Sequence, residues 1–140
     1  MIEHCTMAEV VHHGSPLVLP ASTTVKKACT ELHERHAGAV LVVEKGKLAG
    51  IFTGRDAVAC LARGLDPQRT LIRQVMTADP CCLPPEATAI DALRLMNDGG
   101  FRHLPVVRNG EVVGLVSRYD LRGTPQRQLD EETGFFEVLR

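Results

Sequence analysis

Gly50-Ile51-Phe52-Thr53-Gly54-Arg55-Asp56 and Gly114-Leu115-Val116-Ser117-Arg118-Tyr119-Asp120 are two versions of one pattern, set sixty-four positions apart. Each reads as a glycine, two apolar residues, a hydroxyl, two variable positions and an aspartate. The same offset carries residues 11–56 onto 75–120 without a gap. Val11 meets Val75, Pro16 Pro80, Leu19 Leu83, Pro20 Pro84, Thr24 Thr88, Ala28 Ala92, Val42 Val106 and Gly46 Gly110. Identities fall on apolar, turn-forming and acidic positions while solvent-type positions drift, as expected of a duplicated structural unit. Two copies of one unit pack most simply about an approximate two-fold axis, which creates two related clefts.

The chain has 140 residues, a formal net charge of −1, and is 44% hydrophobic but only 4% aromatic. A half of this length buries only about 60% of its unfolded surface and is marginal alone, so the copies are expected to share a core. With no Trp and one Tyr, that core must be Val, Leu, Ile and Ala. The charge balance argues against a protein that coats nucleic acid, since that work needs clustered Lys and Arg. A small phosphorylated ligand, needing one or two cations, stays open. No apolar run reaches a membrane span, and residues 1–10 carry Glu3 and His4 where a signal would be basic and then apolar. Five cysteines without a disulfide-framework spacing fit a reducing compartment, so a cytoplasmic protein is expected.

Each copy reads as an extended lead-in, a helix, two strands and a second helix. Pro16–Pro20 and Pro80–Pro84 are apolar and their prolines forbid helix. Thr24 and Thr88 are the expected N-caps, and Asp91 three residues after Thr88 forms a capping-box signal. Val25, Ala28, Cys29 and Leu32 recur at helical spacing, as do Ala89, Ala92, Leu93 and Met96. Strands are predicted at 39–43 and 104–107, returning over 48–52 and 112–116. Turns at Glu44–Lys47 and Arg108–Glu111 join them, and Asn109-Gly110 supplies the positive φ angles of a type I′ turn. A helix is predicted over 57–63 with Gly64 as its C-cap, and a short helix over 70–76. The boundaries are then 8–64 for the first copy, 65–74 for the connection and 75–123 for the second copy. Residues 124–140 form a polar tail ending near Phe135-Phe136, expected to be only partly ordered.

The repeated motif is where chemistry is expected. A hydroxyl at a strand end and a carboxylate three residues later both sit at the start of the next helix, whose free N–H groups and dipole suit a phosphate. Thr53 or Ser117 can donate to a phosphate oxygen. Asp56 or Asp120 can accept from both hydroxyls of a ribose, each such bond being worth about 1.5–3 kcal/mol. The plainer alternative is that the hydroxyls are N-caps and the aspartates only complement the helix dipole. Two copies in register after matching hairpins favour the binding role.

This layout resembles a tandem cystathionine β-synthase (CBS) domain pair, the Bateman module, over residues 8–123. The resemblance rests on the two Gly-apolar-apolar-Thr/Ser-x-x-Asp segments and on Phe101-Arg102-His103-Leu104-Pro105-Val106-Val107 before a glycine-turn hairpin. It implies an α/β (α+β) fold of two β-α-β-β-α repeats packed about a pseudo-two-fold axis, and a homodimer. It also implies adenosine-type ligands, namely AMP, ADP or ATP, with S-adenosylmethionine or NAD-type nucleotides also possible. By that similarity one cleft combines Ser117, Tyr119 and Asp120, reached along Leu115, with Leu17, Val18 and Ala37-Gly38-Ala39. The other combines Thr53, Arg55 and Asp56 with Cys81, Cys82 and Phe101-Arg102-His103. Arg55, Arg102 and His103 give the second cleft more phosphate partners, so it is expected to prefer the more highly phosphorylated ligand.

Other signals weigh less. His4-Cys5 with His12-His13, or His33 with His36, lack the pair spacing of a structural zinc site, and no metal is expected. Vicinal Cys81-Cys82 rarely close a relaxed disulfide and are expected to play a buried, small-apolar role. No nucleophile or acid–base pair converges on one cleft, so no catalysis is expected. The resulting expectation is a non-catalytic adenine-nucleotide sensor that acts on an unidentified protein partner. Two rivals are a dimerising scaffold without ligand and a redox- or metal-responsive stress protein.

Overall fold

A computed structural model describes residues 4–11 and 15–121; the 124–140 tail lies outside the described residues. The fold is mixed α/β. It separates into two compact units, one of Ser15–Cys81 with Asn109–Val112, the other of residues 4–11, Cys82–Arg108 and 113–121. The elements are α1 (Met7–Val10), β1 (Val18–Pro20), α2 (Val25–Glu34), β2 (Ala39–Glu44), β3 (Lys47–Thr53), α3 (Gly54–Ala62), β4 (Thr77–Ala78), α4 (Ala89–Gly99), β5 (His103–Arg108) and β6 (Glu111–Ser117).

In the first unit a four-stranded sheet runs β1-β2-β3-β4. β1 lies parallel to β2, with Val18 opposite Leu41, and β2 is antiparallel to β3, with Ala39 opposite Thr53. Val40, Leu41, Val42 and Phe52 are fully buried, as expected of β-branched and aromatic side chains on covered strands. α2 begins at Thr24, whose hydroxyl accepts from Lys27 N–H at 3.1 Å. Its buried Val25 and Ala28 face the sheet side of the core. β5 and β6 form a two-stranded sheet, joined by the expected turn at Asn109 (φ 52°) and Gly110 (φ 81°). α4 opens on a closed capping box: Thr88 N–H donates to Asp91 Oδ2 at 3.0 Å, and Asp91 N–H to Thr88 Oγ1 at 3.2 Å. It ends on Gly100 at φ 71°, a left-handed position suited to glycine.

Where one shared core was expected, the buried residues form two clusters, one in each unit. The reason lies in the lead-in segments. The chain preceding the second repeat packs in the first unit: Val25 N–H donates to Thr70 O and Ile72 N–H to Thr23 O, both at 2.8 Å, and Ile72 is fully buried. The chain preceding the first repeat packs in the second unit: Ala89 N–H donates to Cys5 O at 2.9 Å, Met7 N–H to Ala87 O at 2.7 Å, and Met7 is fully buried. Each lead-in therefore satisfies helix N–H groups that would otherwise lack partners, and each adds an apolar side chain worth about 1.5–3 kcal/mol of burial.

The glycines that open the two motifs permit this. A Cβ on Gly50 would strike Met76 Sδ and lie 2.8 Å from Thr77 O, and one on Gly114 would lie 2.7 Å from Val11 Cβ. Other expectations shift modestly. α3 starts at Gly54 instead of 57, because Thr53 itself is the N-cap. The helix expected over 70–76 is a 3₁₀ turn at Ile72–Gln74 followed by β4. Pro80–Pro84 contributes only one bridge, Leu83 to Val106, since prolines cannot donate to a ladder. The closing helix of the second repeat is present as a 3₁₀ turn, Arg118–Asp120, up to the last described residue.

Gly50→Ala and Gly114→Ala are each expected to destabilise the protein by about 1–3 kcal/mol, the usual range for overpacking, in chemical denaturation. Unchanged midpoints would show that the lead-ins do not bear on these glycines. The capping box gives a pH test. The Thr88 backbone N–H, then its hydroxyl, hold the Asp91 carboxyl below its ordinary 3.8. Its stabilisation is therefore full above that value and fades as pH falls through the lower folded value. Asp91→Asn should lower the melting temperature at neutral pH, and the gap should close in strong acid.

Candidate functional site

Each motif ends where its strand turns into a helical turn, and the backbone there is fixed by its own aspartate. In the first unit Thr53 is extended (φ −125°, ψ 175°) and Gly54 is already helical. Asp56 Oδ2 accepts the Thr53 N–H at 2.9 Å and the Thr53 hydroxyl at 3.4 Å. In the second unit Asp120 Oδ2 accepts the Ser117 N–H at 2.7 Å and its hydroxyl at 3.1 Å. Thr53 and Ser117 thus hold the N-cap positions that the plainer alternative gives them, and each aspartate, three residues on, closes back on its strand end. This leaves chemistry available, because in each case the bonds fall on one oxygen and Oδ1 accepts none among the described residues.

The surroundings repeat as well. In the first unit Ala39 faces Thr53 across the β2–β3 ladder, and Leu41 N–H donates to Leu17 O at 2.8 Å. Leu17, Val18 and Ala37–Ala39 therefore lie at the same end of the sheet as Thr53, Arg55 and Asp56. In the second unit Arg118 N–H donates to Arg102 O at 2.9 Å, which sets Phe101-Arg102-His103 beside Ser117, Tyr119 and Asp120. The CBS resemblance implies the start-of-strand segment of each repeat beside the aspartate of the other. Within each unit, that segment adjoins the aspartate of its own repeat.

Three of the exposed large apolar side chains lie at these edges; Val58, Leu61 and Val113 are exposed elsewhere. Val18 and Phe101 are each 37% exposed and Tyr119 is 44% exposed, although the fold buries most side chains of their size. Unburied apolar groups beside unpaired acceptor oxygens suit a ligand with a flat apolar face and hydroxyls. Cys81 and Cys82 are both exposed, a correction to their expected buried role. Their proline-bounded segment pairs only through Leu83 and leaves them at the surface.

The two motifs differ in the element that carries the carboxylate. α3 extends nine residues beyond Thr53, and a Cβ on its first residue, Gly54, would meet nothing within 4 Å. That open helix start, with Arg55 exposed beside it, is approachable by an anion. Gly54 reads in the sequence only as a variable position; a glycine directly after the strand-end hydroxyl is the signal it carries. In the second unit Asp120 lies in a three-residue turn, and the neighbouring cation Arg118 reaches Asn97 Oδ1 through Nη2 at 3.1 Å. Among the described residues no group of three or more His, Cys, Asp or Glu could hold a metal, and no helix is long and apolar enough to cross a membrane. His12 and His13 lie outside the described residues.

Comparison with known proteins bears on this arrangement. A family model described as "CBS domain" matches residues 8–63 and again 72–125. A CBS domain-containing protein of Arabidopsis thaliana, CBSCBSPB3, is 42% identical over 102 residues, which is 71% of this chain and 18% of the relative. The chain spans less than a fifth of the length of that relative and of CBSCBSPB2. Among solved structures, the CBS-domain containing protein ATU1752 of Agrobacterium tumefaciens has a TM-score of 0.75 at 27% identity, covering 83% of this chain and 95% of its own. The CBS domain protein PAE2072 of Pyrobaculum aerophilum, complexed with AMP, has a TM-score of 0.79 at 23% identity, covering 92% and 99%. Matched twice by one model in the register of its internal duplication, this chain belongs to the CBS-domain family as a tandem pair.

Proposed function

We propose that this protein is a non-catalytic regulatory module that binds an adenine nucleotide (AMP, ADP or ATP) at the strand-end carboxylates of its repeats. The observation that carries the reading is the matched pair of strand-end carboxylates, each with one oxygen engaged by its own strand end and one left for a ligand. The AMP bound to a structural neighbour of the same fold supports it. In this reading Asp56 and Asp120 accept ribose hydroxyls. Val18, Phe101 and Tyr119 cover the faces of the base, and the backbone of the lead-in segments reads its edge.

The Thr53/Asp56 side takes the longer phosphate chain. It alone offers an open helix start with a free-standing arginine, whereas a three-residue turn carries little dipole. Ligand binding changes the conformation of the module, or the relation of two chains in a homodimer, and a cytoplasmic partner protein reads the change. The exposure of Cys81 and Cys82 favours a second reading, a thiol-responsive protein, should nucleotides prove inert.

Thermal shift with AMP, ADP, ATP, S-adenosylmethionine and NADH tests the proposal. A ligand at a hundredfold excess over its Kd stabilises the folded state by about 2.7 kcal/mol. A clear rise is expected with at least one adenine nucleotide. Asp56→Ala should lose more of the ATP response than Asp120→Ala; equal losses would defeat the asymmetry. No response to any compound, with reactive Cys81 and Cys82 in thiol titration, would replace this reading with the second.

A further inference from the structure

We propose that the end of the first unit's sheet opposite Thr53 carries a second site, specific for a small oxyanion such as the phosphate or carboxylate group of a metabolite. A groove of about 350 Å³ opens there between the β1–α2 turn, the β2–β3 turn and the Ile72–Gln74 turn, lined by Ala21, Ser22, Val43, Glu44, Lys45 and Arg73. Arg73 is anchored at its base, since its backbone N–H and its Nε both donate to Ala21 O, at 3.3 and 3.4 Å. That leaves the two terminal guanidinium nitrogens without a protein partner among the described residues. The Ser22 hydroxyl and Lys45 Nζ, on the same groove, make no hydrogen bond or ion pair there either. Lys47, one turn residue further on, does not join them: its Nζ is taken by Asn109 O at 2.8 Å and faces Glu111 at 3.9 Å. Two cations and a hydroxyl thus face one carboxylate, Glu44. The planar arginine fork supplies the paired donors that an oxyanion recognises.

The duplication provides an internal control. At the sixty-four-residue offset Ser22, Glu44, Lys45 and Arg73 become Glu86, Arg108, Asn109 and Glu9. In the second unit Arg108 Nη2 pairs with Glu86 Oε1 at 2.6 Å, and Glu9 Oε1 takes the N–H and hydroxyl of Thr6 at 3.1 and 3.0 Å. The Glu86 backbone and that pairing hold the Glu86 carboxyl below its usual range, so the ion pair persists at neutral pH. One copy therefore satisfies its cation internally and puts an acid where the other has Arg73. Four polar positions have diverged while the fold around them repeats, and the divergence leaves unpaired positive charge on one side only. The site lies apart from the strand-end aspartates, and its case does not depend on the adenosine reading.

Titration of the ¹⁵N-labelled full chain with sodium pyrophosphate at constant ionic strength, followed by two-dimensional NMR, tests this. Saturable shifts are expected at the amides of Ser22, Thr23, Lys45 and Gly46, unchanged by adenosine, which carries no phosphate. Arg73→Gln should weaken the apparent affinity about tenfold or more. Lys45→Gln, in an exposed turn where folding is not at stake, should weaken it as well. Shifts that grow without saturation would overturn the proposal. So would both variants titrating like the wild type, or shifts of equal size at Glu86 and Arg108.

Discussion

A carboxylate that folds back onto the residue three positions before it fixes the end of each return strand. Because Asp56 and Asp120 close on Thr53 and Ser117 through a single oxygen, the strand-to-helix junction is rigid, while the second oxygen keeps its acceptor capacity. The same short contact holds the strand end and leaves the acceptor that the proposed ribose contact requires. A capping-box contact of this kind is commonly worth about 0.3–1.5 kcal/mol, enough to matter in a marginal unit but replaceable elsewhere. Its duplication at matched positions beside exposed apolar side chains is what lends it a further role.

The rest of the architecture keeps these junctions in place. Neither repeat completes its own core: Met7 closes the second unit and Ile72 the first, each arriving on the segment that precedes the other repeat. The glycine at the head of each motif lets those segments approach, so the first residue of the seven serves packing while the last is the one proposed to meet the ligand. Divergence after duplication has spared this frame and fallen on polar positions. The open start of α3 against the short turn after Ser117, and the Arg73 groove against the Arg108–Glu86 pair, both make the halves chemically unequal.

Much of this was legible in the sequence, for identifiable reasons. The repeat offset, the alternation of apolar runs with Gly and Asn-Gly turns, and the threonine caps are local signals that tertiary structure had no cause to override. β2, β3, α2 and α4 accordingly fall close to where patterning places them. What escaped depends on contacts between residues far apart in the chain. Nothing local tells that residues 4–11 pack against Ala89, that Thr77–Ala78 adds a strand to β3, or that Gly50 is a glycine on account of Thr77. For the site, the residue types and their spacing were readable. The neighbour of each aspartate was not, because strand register decides it: Ala39 faces Thr53 within its own unit.

In the proposed function the strand-end carboxylates hold the sugar of an adenosine ligand. A crystal structure of the protein grown with AMP tests it most directly. The account predicts ribose hydroxyls within hydrogen-bonding distance of the Oδ1 of Asp56 or Asp120. A nucleotide seated with its ribose away from both carboxylates, however tightly bound, would contradict it.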